Sequence, residues 1–398
     1  MPIWMICVMG TMLFVGCNSG SSNTTAVPPV SSSSSSEEDV RAYQHGVDFL
    51  KRSDGSYWLV WASSGLPPQG EDDNGEWTHD VYAASVAVNA PTIAPVKLIA
   101  EERAQEPSSA AIAADGHIMI TMEDAFEDDD VYAQTYAVYD ASLRPIKPYR
   151  HIVAYGGHSG HVAAVGNYFV VFYSEGWVDG GGVDDLGSGD DVLLKTYTTR
   201  GDILHENDVA VSEHTRDWWP LLAGSPQYAL LLWQRFVDDQ RYAQLLYRMY
   251  DPETNRWISD AVTLSEAVRY YTYDVQYIET LERFVVCGTD AQGKGFARLL
   301  TPDGTVVAQH NALPPFVREA QPAVRIHNSN AATVVYPTAP SGLMVLRLSR
   351  THIELTQTIA SSYSWYYSGT DGIFTDAKRL YFISLTPEGL QAVDAVIE

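Results

Sequence analysis

Short apolar runs broken by turn signals fill this chain, and one phrase recurs seven times: a turn followed by an apolar strand that ends in an aromatic or small residue. It stands as Ser53-Asp54-Gly55-Ser56-Tyr57-Trp58-Leu59-Val60-Trp61, then Ala114-Asp115-Gly116-His117-Ile118-Met119-Ile120, then Gly166-Asn167-Tyr168-Phe169-Val170-Val171-Phe172. Looser copies run from Gly224 to Trp233, Thr280 to Cys287, Asn328 to Tyr336 and Thr375 to Ile383. The spacing, roughly 45–60 residues, is that of propellers and repeat arrays. Helical periodicity is scarce, so the pattern predicts an all-β chain.

Each unit divides further. After the phrase comes a loop, then a third strand, such as Val81–Val88, Val131–Tyr139, Val192–Tyr197, Tyr242–Tyr250, Gly295–Leu300 or Leu343–Leu348. A turn and a fourth strand often follow, as where Asp251-Pro252 leads into Trp257–Leu264. Four short antiparallel strands per unit make a propeller blade. Units begin near residues 46, 106, 158, 216, 272, 320 and 366, which predicts a seven-bladed β-propeller over residues 39–398. The last unit has three strands, ending in Gly389–Ile397. The segment Asp39–Tyr43 is expected to supply its fourth strand and close the ring, removing an exposed sheet edge.

The repeats resemble those of bacterial seven-bladed propellers, including sialidase-like repeat proteins and propeller-fold polysaccharide lyases. The resemblance is one of pattern, from about residue 40 onward. The sialidase Asp-box is absent, and Ser53-Asp54-Gly55-Ser56-Tyr57-Trp58 is a degenerate echo of it. The resemblance therefore implies a fold and no catalytic residues.

The chain's start adds a destination. Ile3–Val15 is apolar apart from Gly10 and Thr11, and too short to span a bilayer. It ends Leu13-Phe14-Val15-Gly16-Cys17, which resembles the lipobox of bacterial lipoproteins. That likeness implies lipidation at Cys17 and a membrane contact through the anchor alone. Asn18 after the cysteine favours the outer membrane on the same ground. Residues 18–38, with a serine run at Ser31–Ser36, read as a flexible tether. Residues 1–17 read as an export signal and contain Cys7, which leaves Cys287 alone inside an apolar strand, so no disulfide is available to the folded domain.

A formal net charge of −25 excludes nucleic acid as a partner, since that needs a basic footprint. Solubility is the plain reading of so much acid, and divalent-cation binding the sharper one. The longest acidic stretch, Glu175–Asp191, offers Asp179, Asp184, Asp185 and Asp190 as oxygen ligands for Ca²⁺. A solvated loop explains the same residues. Glu71-Asp72-Asp73, Glu123-Asp124 with Glu127–Asp130, and Asp238-Asp239 belong to the same set of loops.

Loops joining one unit to the next hold the other candidate chemistry. They carry His45, then His158 and His161 in Tyr155-Gly156-Gly157-His158-Ser159-Gly160-His161, then His214, Arg216, Asp217, Trp218 and Trp219. Arg269, Tyr270, Tyr271 and Tyr273 follow, then Arg318, Glu319 and Gln321, then Trp365. Aromatic faces stack on sugar rings, and arginine grips a carboxylate in a bidentate fork. His158, His161, Arg216 and Tyr271 are the catalytic candidates: arginine to neutralise a uronate carboxylate, histidine or tyrosine to move the adjacent proton. His45, His214, Trp218, Arg269, Tyr273, Arg318 and Trp365 are the ligand-binding candidates. Each has a framework alternative: the histidines bonding backbone between glycines, the tryptophans filling the core, Arg216 and Asp217 forming an internal ion pair. The expected function is binding of a saccharide or other polar ligand, with or without lyase or hydrolase activity. A non-catalytic scaffold holding envelope proteins is the rival.

Overall fold

A computed structural model describes residues 44–63, 79–87, 94–101, 104–124, 133–175, 191–212, 215–236, 242–339, 341–360, 370–375, 378–386 and 389–396. Apart from a single 3-10 turn at Glu279–Leu281, the regular structure of these residues is strand.

The first sheet is a meander of β1 (Gln44–Lys51), β2 (Tyr57–Ser63), β3 (Asp80–Val86) and β4 (Val96–Ile99). The second holds β5 (Gln105–Ile112), β6 (Ile118–Asp124), β7 (Ala133–Tyr139) and β8 (Pro145–Tyr155). The third holds β9 (Gly157–Val165), β10 (Tyr168–Glu175), β11 (Asp191–Thr198) and β12 (Ile203–Ala210). An eight-stranded sheet follows: β13 (Asp217–Gly224), β14 (Ala229–Phe236), β15 (Ala243–Asp251), β17 (Val262–Ile278), β18 (Arg283–Asp290), β19 (Gly295–Leu300) and β20 (Val306–Leu313), with the short β16 (Arg256–Trp257) against β15. Then come β21 (Ala323–Asn328), β22 (Ala331–Pro337), β23 (Gly342–Ser349) and β24 (His352–Ala360). The last sheet has three described strands, β25 (Asp371–Phe374), β26 (Arg379–Thr386) and β27 (Gly389–Val396). Every strand pairing is antiparallel.

The repeated phrase is the β-turn plus the second strand of a sheet. In the turns, an Asp side chain accepts the N–H two residues on: Asp54 from Ser56 at 2.9 Å and Asp115 from His117 at 3.1 Å. The glycines that follow, Gly55 and Gly116, take φ of 84° and 86°, a region where a side chain is strained. Second strands bury nearly every residue and third strands half or more of theirs, whereas the fourth strands β4, β8, β12, β20 and β24 face solvent along much of their length.

The core lies between sheets. Among the described residues, apolar clusters join the first sheet to the second through Val60, Val81 and Ile120, and the second to the third through Met119, Phe169 and Tyr197. Phe172 and Trp233 join the third to β13–β15, while Leu245 and Phe284 bind the two halves of the eight-stranded sheet. Cys287 packs beside Tyr336 in the next contact, Val335 beside Phe382 in the one after, and Trp61 beside Tyr381 where the last sheet meets the first. Cys287 is fully buried, a small core residue as its strand context implies.

Residues of β1, β5, β9, β13, β17 and β25, with Gln321, line a channel of about 440 Å³. Sheets that follow one another are tied there by side chains. Asp371 accepts the N–H of Phe49 at 2.6 Å, Asp48 that of Ala110 at 2.8 Å, and the Ser109 hydroxyl that of Val162 at 3.2 Å.

The segments Cys17, 18–38 and Asp39–Tyr43, together with the acidic stretches 71–74, 127–130 and 238–239, lie outside the described residues.

Candidate functional site

The expected loops between units are largely strand. Only Gly156 separates β8 from β9, so His158 and His161 sit within β9, and Trp218, Trp219 and Tyr273 within β13 and β17. What makes these stretches look irregular in sequence is a repeated bulge near the start of the first strand. There a residue with left-handed backbone interrupts the ladder: Gly46 (φ 79°), Ser159 (53°), Trp219 (55°), Tyr271 (60°) and, just before β21, Glu319 (57°). Four of these five are not glycine, and such strain is retained where surrounding contacts enforce it. Two of those contacts come from earlier second strands: a Glu123 carboxylate oxygen on β6 accepts the N–H of Ser159, and the Gln234 amide oxygen on β14 accepts that of Tyr271 at 3.2 Å.

The bulges bring together five of the predicted residues. The Arg216 guanidinium lies 5.1 Å from the Trp218 ring centroid, and the Trp218 indole N–H donates to the Tyr271 hydroxyl at 3.1 Å. Arg318 sits over the Tyr271 ring at 4.1 Å and pairs with Glu319 at 2.9 Å. Tyr271 meets Trp219 edge to face at 4.7 Å, and Trp219 meets His161 at 5.8 Å. Arg216, Trp218, Tyr271, Arg318 and His161 therefore form one continuous array, with Tyr271 as its hub and Trp219 linking it to His161. The Nδ1 of His161 lies 3.0 Å from the Ser159 carbonyl. A carbonyl can only accept, so Nδ1 carries a proton in this contact and Nε2 is the ring nitrogen turned away from it.

Other predicted residues serve the framework or lie apart. His158 is buried, its Nδ1 3.0 Å from the Ser159 hydroxyl. Tyr273 is 2% exposed and donates its hydroxyl to the Trp219 carbonyl at 2.6 Å, with burial pushing its pKa well up. Arg269 is exposed and packs over Gly293. His45 lies in β1 opposite Ala62. Asp217 takes Arg235 at 2.8 Å, the Trp233 indole at 2.7 Å and the Thr215 hydroxyl at 2.9 Å, so its ion pair is with Arg235, while Arg216 turns to the Trp218 ring. Glu123 and Asp124 end strand β6, and Asp124 is held by Tyr149 and Arg150 rather than facing solvent. His214, Trp365, Asp179, Asp184, Asp185 and Asp190 lie outside the described residues. Among the described residues no cluster of three or more His, Cys, Asp or Glu side chains is arranged to hold a metal ion.

Beneath the array is a cavity of about 60 Å³ at the mouth of the channel, walled in part by Trp219, His161, Asp48, Asp274 and Gln321. Asp48 accepts from Gln321 at 3.0 Å, and Asp274 from Tyr336 at 3.2 Å and Gln276 at 3.3 Å. Burial pushes Asp48 up to about 6 and Asp274 up to about 7, these hydrogen bonds only partly opposing it. Asp371, deeper in the channel, is raised well above the carboxylate range by burial, reinforced by the fields of Asp48 and Asp274. These three acids were not among the sequence candidates. Their signal was a lone Asp inside or against apolar strand sequence: Val47-Asp48-Phe49, Tyr273-Asp274-Val275 and Asp371-Gly372-Ile373.

No protein-family model matches the chain, and no curated protein matches it. Solved structures do. The polysaccharide lyase Uly1 aligns over 89% of this chain and 90% of its own, at 9% identity and a TM-score of 0.55. A polysaccharide lyase of family PL25, an ulvan lyase, aligns over 89% and 95%, at 10% identity and a TM-score of 0.51. The fungal lectin of Aleuria aurantia, a six-bladed β-propeller, aligns over 81% and 97%, at 10% identity and a TM-score of 0.42. At such identity the likeness concerns the fold.

Proposed function

We propose that the chain is an exported, lipid-anchored seven-bladed propeller of the bacterial cell envelope that binds a saccharide at the bulged end of its channel. The sevenfold reading is supported by the apolar contacts that run from sheet to sheet and return from β26 to β2, with β17 serving as the fourth strand of one blade and the first of the next. Asp371 bonding Phe49 is the corresponding link at the inner edge. Anchoring rests on the lipobox-like Leu13–Cys17.

The observation that carries the saccharide reading is the array Arg216–Trp218–Tyr271–Arg318 with Trp219 and His161. Arg216, Trp218 and Trp219 are buried in it, so what it offers a sugar ring is the half-buried Tyr271 with the half-buried Arg318 guanidinium beside it, a group suited to carboxylate. Two structural neighbours are named as polysaccharide lyases, which agrees with this reading without deciding it.

In the lyase form of the reading, Arg318 neutralises a uronate carboxylate. His161 Nε2 or the Tyr271 oxygen then takes the proton from the carbon bearing that carboxylate. The electron pair becomes a double bond as the bond to the neighbouring glycosidic oxygen breaks, and that oxygen leaves with the proton that the base returns to it. Incubation with uronate polymers, read by absorbance of the unsaturated product, tests this step. Product formation that disappears in Arg318→Ala and His161→Ala supports it. Binding without product leaves a carbohydrate-binding module, and a chain that binds no glycan ends the saccharide reading.

A further inference from the structure

Two arginines and a histidine gather on one face of the β21–β24 sheet, toward the end of β21 away from the Glu319 bulge. Arg325 on β21 stands opposite Thr333 on β22, and Thr333 stands opposite Arg347 on β23. Residues directly opposite in an antiparallel sheet share a face, so the two arginines flank Thr333 across three neighbouring strands. The ladder between β21 and β22 skips His327, a bulge that lets its ring meet the Thr333 hydroxyl at 2.6 Å on that same face. Burial lowers the His327 pKa and the charges of Arg325 and Arg347 lower it further, so the fields of both guanidinium groups reach the imidazole.

Among the described residues, neither guanidinium donates a hydrogen bond or closes an ion pair. Arg325 is half-buried, so part of its hydration is lost with no partner in return. Like charges gathered on one sheet face also destabilise it. Acid for pairing is plentiful: the chain has 50 Asp and Glu against 25 Lys and Arg. Elsewhere that acid is used, as where Asp217, Glu319 and Glu282 close on Arg235, Arg318 and Arg350. At this face the row ends in Glu354, opposite Arg347 on β24, which is exposed and closes on neither arginine. Positive charge is thus concentrated and left unmatched where the sequence had the means to match it.

We infer that Arg325, Arg347 and His327 form a binding site for a tetrahedral oxyanion, a phosphate or sulfate group. A planar carboxylate is matched by one guanidinium fork. A tetrahedral group has acceptor oxygens facing several ways, and takes hydrogen bonds from guanidinium groups on two sides of Thr333 at once. The site shares no residue with the array at the channel mouth and does not depend on the saccharide reading. The group can arrive as a free inorganic ion or as an ester on a larger molecule, and the same side chains recognise either.

The test is thermal unfolding and calorimetry of the full chain with inorganic phosphate, inorganic sulfate, and the phosphate and sulfate esters of glucose, each against chloride at equal ionic strength. The proteins are wild type, Arg325→Gln, Arg347→Gln and Glu354→Gln, with Arg200→Gln as a charge control in the exposed turn between β11 and β12. Phosphate or sulfate is expected to raise the wild-type melting temperature above its value in chloride. Affinity is expected to fall about 10-fold or more in each of Arg325→Gln and Arg347→Gln, to rise in Glu354→Gln and to stay level in Arg200→Gln. In chloride the two arginine variants keep or exceed the wild-type melting temperature, since each relieves repulsion. Esters bound as tightly as the inorganic ions support the site and assign it to a group carried on a larger molecule; inorganic ions bound alone support it and assign it to a free ion. No effect beyond chloride overturns the site, as does an equal loss in Arg200→Gln, which marks general screening. Arginine variants that melt lower in chloride and keep the anion effect overturn it too, the arginines then being framework.

Discussion

Trp219 and Tyr271, from neighbouring first strands, meet edge to face at 4.7 Å, each in a left-handed backbone conformation that neither side chain favours. The contact is held by the next atoms out. Tyr271 takes the Trp218 indole proton, and the Trp219 carbonyl takes the hydroxyl proton of Tyr273. Removing the Tyr271 hydroxyl in Tyr271→Phe preserves the ring contact and deprives the buried Trp218 donor of its acceptor. The expected loss is about 1–3 kcal/mol of stability, read as a lower denaturant midpoint with an unchanged slope.

Asp217 is a second point of concentrated cost. It is fully buried and satisfies Arg235, Trp233 and Thr215 at once. Asp217→Ala strands an indole donor and an arginine, and is expected to destabilise by about 3 kcal/mol, while Arg216→Ala, which spares this network, costs less. Urea unfolding of the two variants side by side gives the comparison.

The channel acids set a pH dependence whose sign is fixed. Asp48 and Asp274 titrate near 6 and 7 in the folded chain against 3.8 for the free side chain, and Asp371 is raised as well. The folded state therefore holds more protons than the unfolded state between about pH 4 and 7. Stability from these groups is full below the unfolded value and falls as pH rises through the folded ones. The melting temperature is expected to decline from pH 5 to pH 8, and Asp274→Asn to flatten that decline. Equal slopes in wild type and Asp274→Asn would contradict the assignment.

Close approach of backbones supplies a packing prediction. A Cβ on Gly224 of β13 would run into the Ala164 carbonyl of β9, with no flexible side chain there to yield. Gly224→Ala is expected to cost about 2 kcal/mol or more, seen as a lower melting temperature. Gly55→Ala, where the space is open, carries only the strain of its positive φ.

Anchoring is tested apart from the fold. Cys17→Ala is expected to move the exported chain from the membrane fraction to the soluble one, read by fractionation and immunoblot. Retention in the membrane fraction would remove the lipobox reading.

Much of the framework was legible because its signals are local. Asp54-Gly55 and Asp115-Gly116 announce turns, and runs such as Leu59-Val60-Trp61 and Phe169-Val170-Val171 announce buried strands. The bulges were not legible. Ser159, Trp219, Tyr271 and Glu319 take a conformation that sequence reading assigns to glycine, so strands β9, β13 and β17 were read as loops up to the residues beyond them. A bulge also shifts strand parity. Tyr273 was read as a ligand contact and is core, while Asp274 beside it joins the cavity wall as a titratable group. Asp48 and Asp371 escaped notice because their partners, Ala110 and Phe49, belong to other sheets, and no local pattern records such a link.

Strand β17 spans Val262–Ile278 with the Tyr271 bulge at its middle, pairing with β15 through its first half and with β18 through its second. Here one strand belongs to both halves of the eight-stranded sheet, so no loop parts them. Under load or digestion the β13–β20 portion should behave as a single welded panel, and any parting of the molecule should begin elsewhere, at junctions held only by side chains such as Asp371 on Phe49.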